Sequence, residues 1–176
     1  DKHGFLPLRD LSSEFFTTDN NGKKKCNLKE GQEILVQVNK EERGTKGATL
    51  STQISIAGRF MVLIANSNRG GGISRRITGD EREDLKNQIA KLDIPENMSV
   101  IIRTAGIDRT FEELQNDLNY LISLWDNIHL NQVSADAPQC IYTDDKLIVR
   151  VFRDIFRDDI EEVLVDNQEV FKEAYS

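Results

Sequence analysis

The chain has 176 residues, of which 38% are hydrophobic, and its formal net charge is −7. This length fits one mid-sized domain or two small ones, and the negative charge argues against indiscriminate binding to nucleic acid. No apolar run is long enough to span a membrane, and Cys26 and Cys140 lie too far apart in sequence for a zinc knuckle or disulfide framework, so we expect free thiols in a cytoplasmic protein.

The charge is divided unevenly along the chain. Residues 1–80 carry 13 Lys and Arg against 9 Asp and Glu, a net charge of +4, whereas residues 81–176 carry 10 against 21, a net charge of −11. A mildly basic first part with an acidic second part favours a localised contact with a polyanion over a broad electrostatic footprint.

The first part of the chain predicts short strands. Apolar runs or alternation with β-branched residues predict strands at 33–39, 48–56 and 59–65. The link 40–47 is rich in glycine and charge, which predicts a hairpin loop, and the polar, lysine-rich segment 17–27 predicts a mobile loop. Closely spaced strands with a basic loop at their ends suit a small β-barrel of the OB kind.

From residue 80 onward the hydrophobic period changes from strand to helix. Leu85, Ile89 and Leu92 share one helical face, and residues 98–106 predict a buried strand that runs into a turn. Thr110 with Glu113 forms a capping-box signature before a second helix. The apolar stripe of that helix comprises Leu114, Leu118, Leu121 and Trp125.

A polar link at 131–138 marks a boundary before the last part of the chain. There the pattern predicts an amphipathic helix, a strand at 162–166 and a final helix that begins near Asn167. The fold class is therefore α+β, and the three predicted units are residues 1–56, 57–138 and 139–176.

Three groups of residues are candidate sites. Phe5 offers a ring on which a base can stack and Lys46 a charge for the neighbouring phosphate, although an aromatic residue is by default a core residue. Arg103 and Thr104 leave a buried strand and present a guanidinium fork and a hydroxyl, which suit a small anion; the alternative is a surface arginine beside a turn.

The third candidate is the glycine-rich stretch from Arg69 to Arg76. Consecutive glycines let backbone N–H groups approach an anion, and the arginines, including Arg75 and Arg76, add charge-assisted hydrogen bonds. The stretch lacks the GK[ST] and GxGxxG spacings of known phosphate loops, so the alternative is a flexible loop with solvated arginines. No base, nucleophile or metal cluster accompanies it, which disfavours a small-molecule phosphate enzyme.

Four ordered segments together resemble the ribonuclease E/G family, and its E-type branch more than its G-type. They are HGFLPL (3–8), VNKEERGTKGATLST (38–52), AGRFMVLIANSNRGGGISRRI (57–77) and IIRTAG (101–106). The resemblance implies a partial S1-type OB domain at 1–56, a 5′ sensor domain at 57–138 and part of an RNase H-like subdomain at 139–176. It implies an RNA-recognition part of a single-strand-specific endoribonuclease of RNA processing and mRNA decay.

Residue by residue, the resemblance assigns the 5′-phosphate to Arg103 and Thr104, with Gly58 and the backbone around Val62 completing the pocket. Arg75 and Arg76 would steady that pocket or contact nearby RNA. Phe5 and Lys46 take the RNA-binding roles, so the expected partner is single-stranded RNA with a 5′-monophosphate.

The resemblance assigns no catalytic residue and no cofactor to this chain. It places the aspartates that hold catalytic Mg²⁺, and a Zn²⁺ link between protomers of a homotetramer, in later parts of the parent enzyme. We therefore expect residues 1–176 alone to be inactive, with the parent in the cytoplasm or at the inner face of the membrane. The alternative is a non-catalytic RNA-binding adaptor.

Overall fold

A computed structural model describes residues 3–19, 22–67, 71–144, 147–156 and 159–175. Within these ranges eight strands run in chain order: β1 Phe16–Thr18, β2 Lys24–Cys26, β3 Gln37–Lys40, β4 Thr49–Ser51, β5 Ile54–Ala57, β6 Met61–Ala65, β7 Gly72–Ile73 and β8 Met98–Ile102. The helices are α1 Asp80–Ile89, α2 Phe111–Val133, α3 Leu147–Ile155 and α4 Gln168–Tyr175. The α+β prediction is confirmed.

The first part of the chain forms two separate two-stranded antiparallel sheets, β1–β2 and β3–β4, and no closed barrel among the described residues. The expected mobile loop at 17–27 is wrong: Thr17 pairs with Lys25 and Thr18 with Lys24 in a hairpin. The hairpin predicted around 40–47 is confirmed, because β3 and β4 pair on either side of it.

The central sheet has four strands in the order β5–β6–β8–β7. The first three are antiparallel, and β7 runs parallel to β8 at the edge. Along β6 burial alternates, so that Met61, Leu63 and Ala65 are fully buried while Val62 and Ile64 are half-buried. This period of two means that one face of the sheet lies on the core and the other stays partly open.

Helix α2 covers the core face of this sheet. Its residues Leu114, Leu118 and Leu121 are fully buried, as the apolar stripe predicted. Burying each such side chain contributes about 1.5–3 kcal/mol, which fixes the helix against β5 and β6. The capping box is also confirmed, with Glu113 N–H donating to Thr110 Oγ1 over 3.2 Å and Thr110 N–H donating to Glu113 Oε2 over 2.8 Å.

The last part of the chain supplies α3 and α4, which pack against each other. The final helix near Asn167 is confirmed, because the Asn167 side chain accepts hydrogen bonds from the N–H groups of Glu169 and Val170. The strand predicted at 162–166 is wrong. This segment has no strand partner within the described ranges, and Leu164 is 84% exposed, so the β-like pattern has no sheet to join. No described helix is long and apolar enough to cross a membrane.

Candidate functional site

One end of the central sheet gathers most of the predicted 5′-phosphate residues. Ile102 ends β8 and lies opposite both Met61, which begins β6, and Ile73, which ends β7. The turn at Gly58 between β5 and β6 therefore shares this end with Arg103 and Thr104, which follow β8. The sequence predicted a phosphate site from these segments, and the sheet register brings them together.

The side chain of Arg103 is held against the turn between β5 and β6. Its Nη1 donates to the carbonyl oxygen of Gly58, lies 3.4 Å from that of Arg59 and lies 2.8 Å from Oδ1 of Asp154. The side chain is 30% exposed. Arg103 is therefore a partnered, half-buried guanidinium rather than a solvated surface arginine.

Thr104 stands directly beside Arg103 and is exposed. It begins a single 3₁₀ turn, Thr104–Gly106, whose first carbonyl accepts the N–H of Ile107 over 3.2 Å. The backbone N–H of Arg103 donates to the carbonyl oxygen of Phe60 over 2.8 Å, which fixes this turn to the β5–β6 turn. The hydroxyl of Thr104 is thus carried on a fixed backbone, one residue after Arg103.

Val62 lies one row into the sheet. It is paired with Ala57 on β5 and with Ile101 on β8, so its backbone groups face neighbouring strands. Its side chain shares the open face with Ile101, which is 38% exposed. Val62 is therefore presented beside the site through its side chain, whereas the sequence prediction rested on its backbone.

The described part of the glycine-rich stretch is an edge strand and a turn. A β-carbon at Gly71 would lie 2.7 Å from the carbonyl oxygen of Val100, so the glycine allows β7 to pack closely on β8. Arg75 and Arg76 follow in an exposed turn. Because parallel strands β7 and β8 end together, these two arginines lie at the same sheet end as Arg103. Arg69 and Gly70 lie outside the described residues.

Asp117 on α2 is a site residue that the sequence analysis missed. Its carboxylate accepts three backbone N–H groups of the β5–β6 turn: Arg59 at 3.0 Å, Phe60 at 2.9 Å and Met61 at 3.0 Å. These donors are therefore used inside the protein and do not face a ligand. The only sequence signal was an acidic residue directly before Leu118 of the apolar stripe.

An arginine–aspartate network on α3 was also missed. Arg153 donates to both carboxylate oxygens of Asp154, from Nε at 3.1 Å and Nη2 at 3.2 Å, and its Nη1 reaches Asp144 at 3.1 Å. These hydrogen bonds from Arg153, with a further one from Arg103, hold the pKa of Asp154 below its ordinary value. The network ties α3 to the predicted phosphate residue Arg103.

Phe5 and Lys46 lie on adjoining segments of the first part of the chain. The backbone N–H of Phe5 donates to the carbonyl oxygen of Ala48 over 2.7 Å, and its carbonyl oxygen accepts the N–H of Leu50 over 2.8 Å. Lys46 closes the β3–β4 hairpin through backbone pairing with Arg43. Phe5 is 66% exposed, so the default expectation of a core residue is wrong. Its ring and the exposed Lys46 are both available to a ligand.

The acidic residues that follow α3 do not form a metal site within the described part of the chain. Asp159, Glu161 and Glu162 are exposed, and Asp158 lies outside the described residues. Within the described ranges no group of three or more His, Cys, Asp or Glu side chains could hold a metal ion.

Comparison with known proteins gives consistent matches. The model of the Ribonuclease E/G family matches residues 55–176. The chain is 46% identical to Ribonuclease E of Escherichia coli strain K12 over 178 residues, which cover 99% of this chain and 17% of that protein. It is likewise 46% identical to Ribonuclease E of Haemophilus influenzae, over 99% of this chain and 19% of that protein.

Similarity to the G-type is lower. The chain is 32% identical to Ribonuclease G of Haemophilus influenzae over 181 residues, which cover 99% of this chain and 37% of that protein. The chain thus spans less than a fifth of the length of these two ribonuclease E relatives.

Proposed function

The chain belongs to the ribonuclease E/G family, and from this premise we propose that it is the RNA-recognition portion of a single-strand-specific endoribonuclease of RNA processing and mRNA decay. In this proposal residues 57–138 form the sensor of the 5′-monophosphate, and residues 1–56 form a partial S1-type domain that grips the single strand. Residues 139–176 form part of an RNase H-like subdomain.

The observation that carries the proposal is the position of the consecutive residues Arg103 and Thr104 at one end of the central sheet, beside Gly58. A 5′-monophosphate carries about −1.5 to −2 charge and three acceptor oxygens. A guanidinium fork can hold two of these oxygens, and a neighbouring hydroxyl can donate to the third. The open face beside Arg103 and Thr104 carries Val62, an apolar surface for the first nucleotide. Arg75 and Arg76 add positive charge at the same sheet end.

Nucleotides downstream of the 5′ end of the RNA would contact Phe5 and Lys46. An exposed ring stacks on any base, and a lysine next to it neutralises a phosphate, so this pair suits single strands without sequence preference. Engagement of the 5′ end would raise the effective concentration of the same strand at this second contact. The two sites together favour RNA that already carries a 5′-monophosphate.

We propose that other segments of the parent protein carry out RNA cleavage. The proposal assigns no catalytic residue to residues 1–176, and it places the Mg²⁺ aspartates, the Zn²⁺ link and the contacts of a homotetramer elsewhere. The resemblance supports these assignments. It also supports a cytoplasmic location, with the inner face of the membrane as a second one.

The test compares the affinities of one short RNA that carries either a 5′-monophosphate or a 5′-hydroxyl. We expect wild type to prefer the monophosphate, and Arg103→Ala to weaken monophosphate binding about ten- to a hundredfold, since a hydrogen bond to a charged group is worth roughly 1.5–3 kcal/mol. Binding of the 5′-hydroxyl RNA should not change. A wild-type ratio near one would refute 5′ sensing, and RNA binding by a full-length protein that never cleaves would favour an adaptor.

A further inference from the structure

The hydrogen bonds of Arg103 divide its guanidinium into a used and a free part. A guanidinium has five N–H donors, and the two on Nη1 are directed at the turn carbonyls and at Asp154. Among the described residues, Nε and Nη2 of Arg103 have no partner. The edge formed by Nε and Nη2 is a bidentate fork that matches two oxygens of a phosphate.

We propose that Asp154 is a positioning residue for the 5′-phosphate: together with the Gly58 carbonyl it holds Nη1 of Arg103, so that the Nε–Nη2 edge is turned toward the ligand. This inference rests on the proposed function of Arg103. Asp154 itself makes no contact with the RNA. It acts through the arginine that does.

The carboxylate of Asp154 is itself fixed. Arg153 holds both of its oxygens, and Arg153 is held in turn by Asp144 and, at 3.5 Å, by the carbonyl oxygen of Ala57. Arg153 is therefore held at the end of β5, directly before the β5–β6 turn that Arg103 contacts. A long arginine side chain loses rotamer freedom when it is ordered, and this network removes that freedom before RNA arrives.

Two effects of Asp154 on phosphate binding have opposite signs. As a negative charge near the site it repels phosphate, so on charge alone its removal would strengthen binding. As a positioning group it orders the fork, so its removal weakens binding. Because both oxygens of Asp154 stay engaged with Arg153, the carboxylate is a fixed support for Arg103 and not a stand-in for phosphate that a ligand displaces.

The experiment measures the ratio of affinities for 5′-hydroxyl and 5′-monophosphate RNA in the full-length protein carrying Asp154→Asn. We expect the preference for monophosphate to fall about three- to tenfold, with 5′-hydroxyl binding unchanged. In the Arg103→Ala background, Asp154→Asn should cause no further loss. Asp159→Asn removes the same charge from an exposed position after α3 and should leave the ratio as in wild type.

The outcomes separate the two proposals. A wild-type ratio near one refutes 5′ sensing itself. A clear wild-type preference that Asp154→Asn leaves unchanged or increases overturns the positioning role alone. If Asp154→Asn does not fold, Arg153→Lys decides: lysine keeps the charge but cannot hold both oxygens of Asp154, so the preference should again fall, and an unchanged preference overturns the inference.

Discussion

Gly58 and Asp117 approach so closely that a β-carbon added to the glycine would lie 2.7 Å from Oδ2 of the carboxylate. The two residues are 59 positions apart in sequence, and their contact joins the β5–β6 turn to helix α2. Arg103 donates to the carbonyl oxygen of the same glycine. The shape of the candidate phosphate site therefore depends on the absence of a side chain at position 58.

Gly58→Ala should destabilise the protein and weaken the preference for 5′-monophosphate RNA. The added carbon would meet Asp117 and also the Leu121 side chain at 2.9 Å, so the turn must shift, at a cost of about 1–3 kcal/mol. Denaturant unfolding measures the first effect and the affinity ratio the second. Gly72→Ala is the matched control, since among the described residues its β-carbon would meet only the Ile101 side chain, at 3.9 Å. Equal stability of the two variants would contradict the prediction.

Asp117→Asn should lower the free energy of unfolding by about 2 kcal/mol or more, because three backbone N–H groups lose a charged acceptor. An asparagine offers one acceptor oxygen and turns an NH₂ group toward the remaining donors. Urea titration provides the measurement. Asp126→Asn, at an exposed position on the same helix, should change stability by only a few tenths of a kcal/mol. A similar small change for Asp117→Asn would show that the turn holds without the carboxylate.

The capping box should give α2 a pH-dependent contribution. The hydrogen bond from the Thr110 backbone N–H is the main reason that the pKa of Glu113 lies below its ordinary value. A lowered folded pKa means that the stabilisation is complete above the unfolded pKa, about 4.3, and is lost as the pH falls through the folded value. Because the Glu113 side chain is 41% exposed and solvent screens its charge, Glu113→Gln should be less stable than wild type by only about 0.2–1 kcal/mol at pH 7, with the difference shrinking below about pH 4.

Thermal or urea unfolding at pH 7 and pH 3 measures this difference. Glu112→Gln removes the neighbouring exposed carboxylate, which is outside the capping box, and serves as the control. A wild-type advantage over Glu113→Gln that does not change between the two pH values would rule out the charged hydrogen bond as its source.

Phe5→Ala should separate RNA binding from folding. Because Phe5 is 66% exposed, loss of its ring should change stability by no more than about 0.5 kcal/mol. If a base stacks on it, binding of single-stranded RNA should weaken by about 1–3 kcal/mol. Leu8→Ala removes a side chain that is 67% exposed but has no aromatic face, and should bind as wild type does. Wild-type affinity for Phe5→Ala would remove this residue from the RNA path.

Lys46→Ala should make RNA binding less sensitive to salt. Each phosphate that a cation neutralises on a single strand contributes about −0.7 to the slope of log K against log salt, so losing one contact should reduce the slope by about that amount. Affinities measured at several salt concentrations give the slope. Lys91→Ala, an exposed lysine just after α1, removes the same charge away from the predicted path and should keep the wild-type slope.

Local sequence signals predicted the elements whose formation depends on residues close together in the chain. Thr110, Glu113 and the stripe through Leu121 predicted α2, because capping and a 3.6-residue period act over a few neighbouring positions. The β-branched runs likewise predicted β6 and β8, and the exit of Arg103 from a buried strand identified it as a candidate anion ligand. The hairpin β1–β2 was missed because its lysine-rich composition resembles a loop, and its pairing depends on a partner strand.

Only the tertiary structure decided how these elements meet. The hydrogen bond between Arg59 and Asp117 spans 58 residues, and the ion pair between Arg103 and Asp154 spans 51. The local hydrophobic period does not predict such partners, because they are set by the register of β6 on β8 and by the packing of α2 and α3 around one turn. For the same reason the pattern at 162–166 could suggest a strand but not supply the neighbour that a strand needs. The sequence thus indicated the residues of a candidate phosphate site. The fold determined which of them are held, by which partners, and which of their donors have no partner among the described residues.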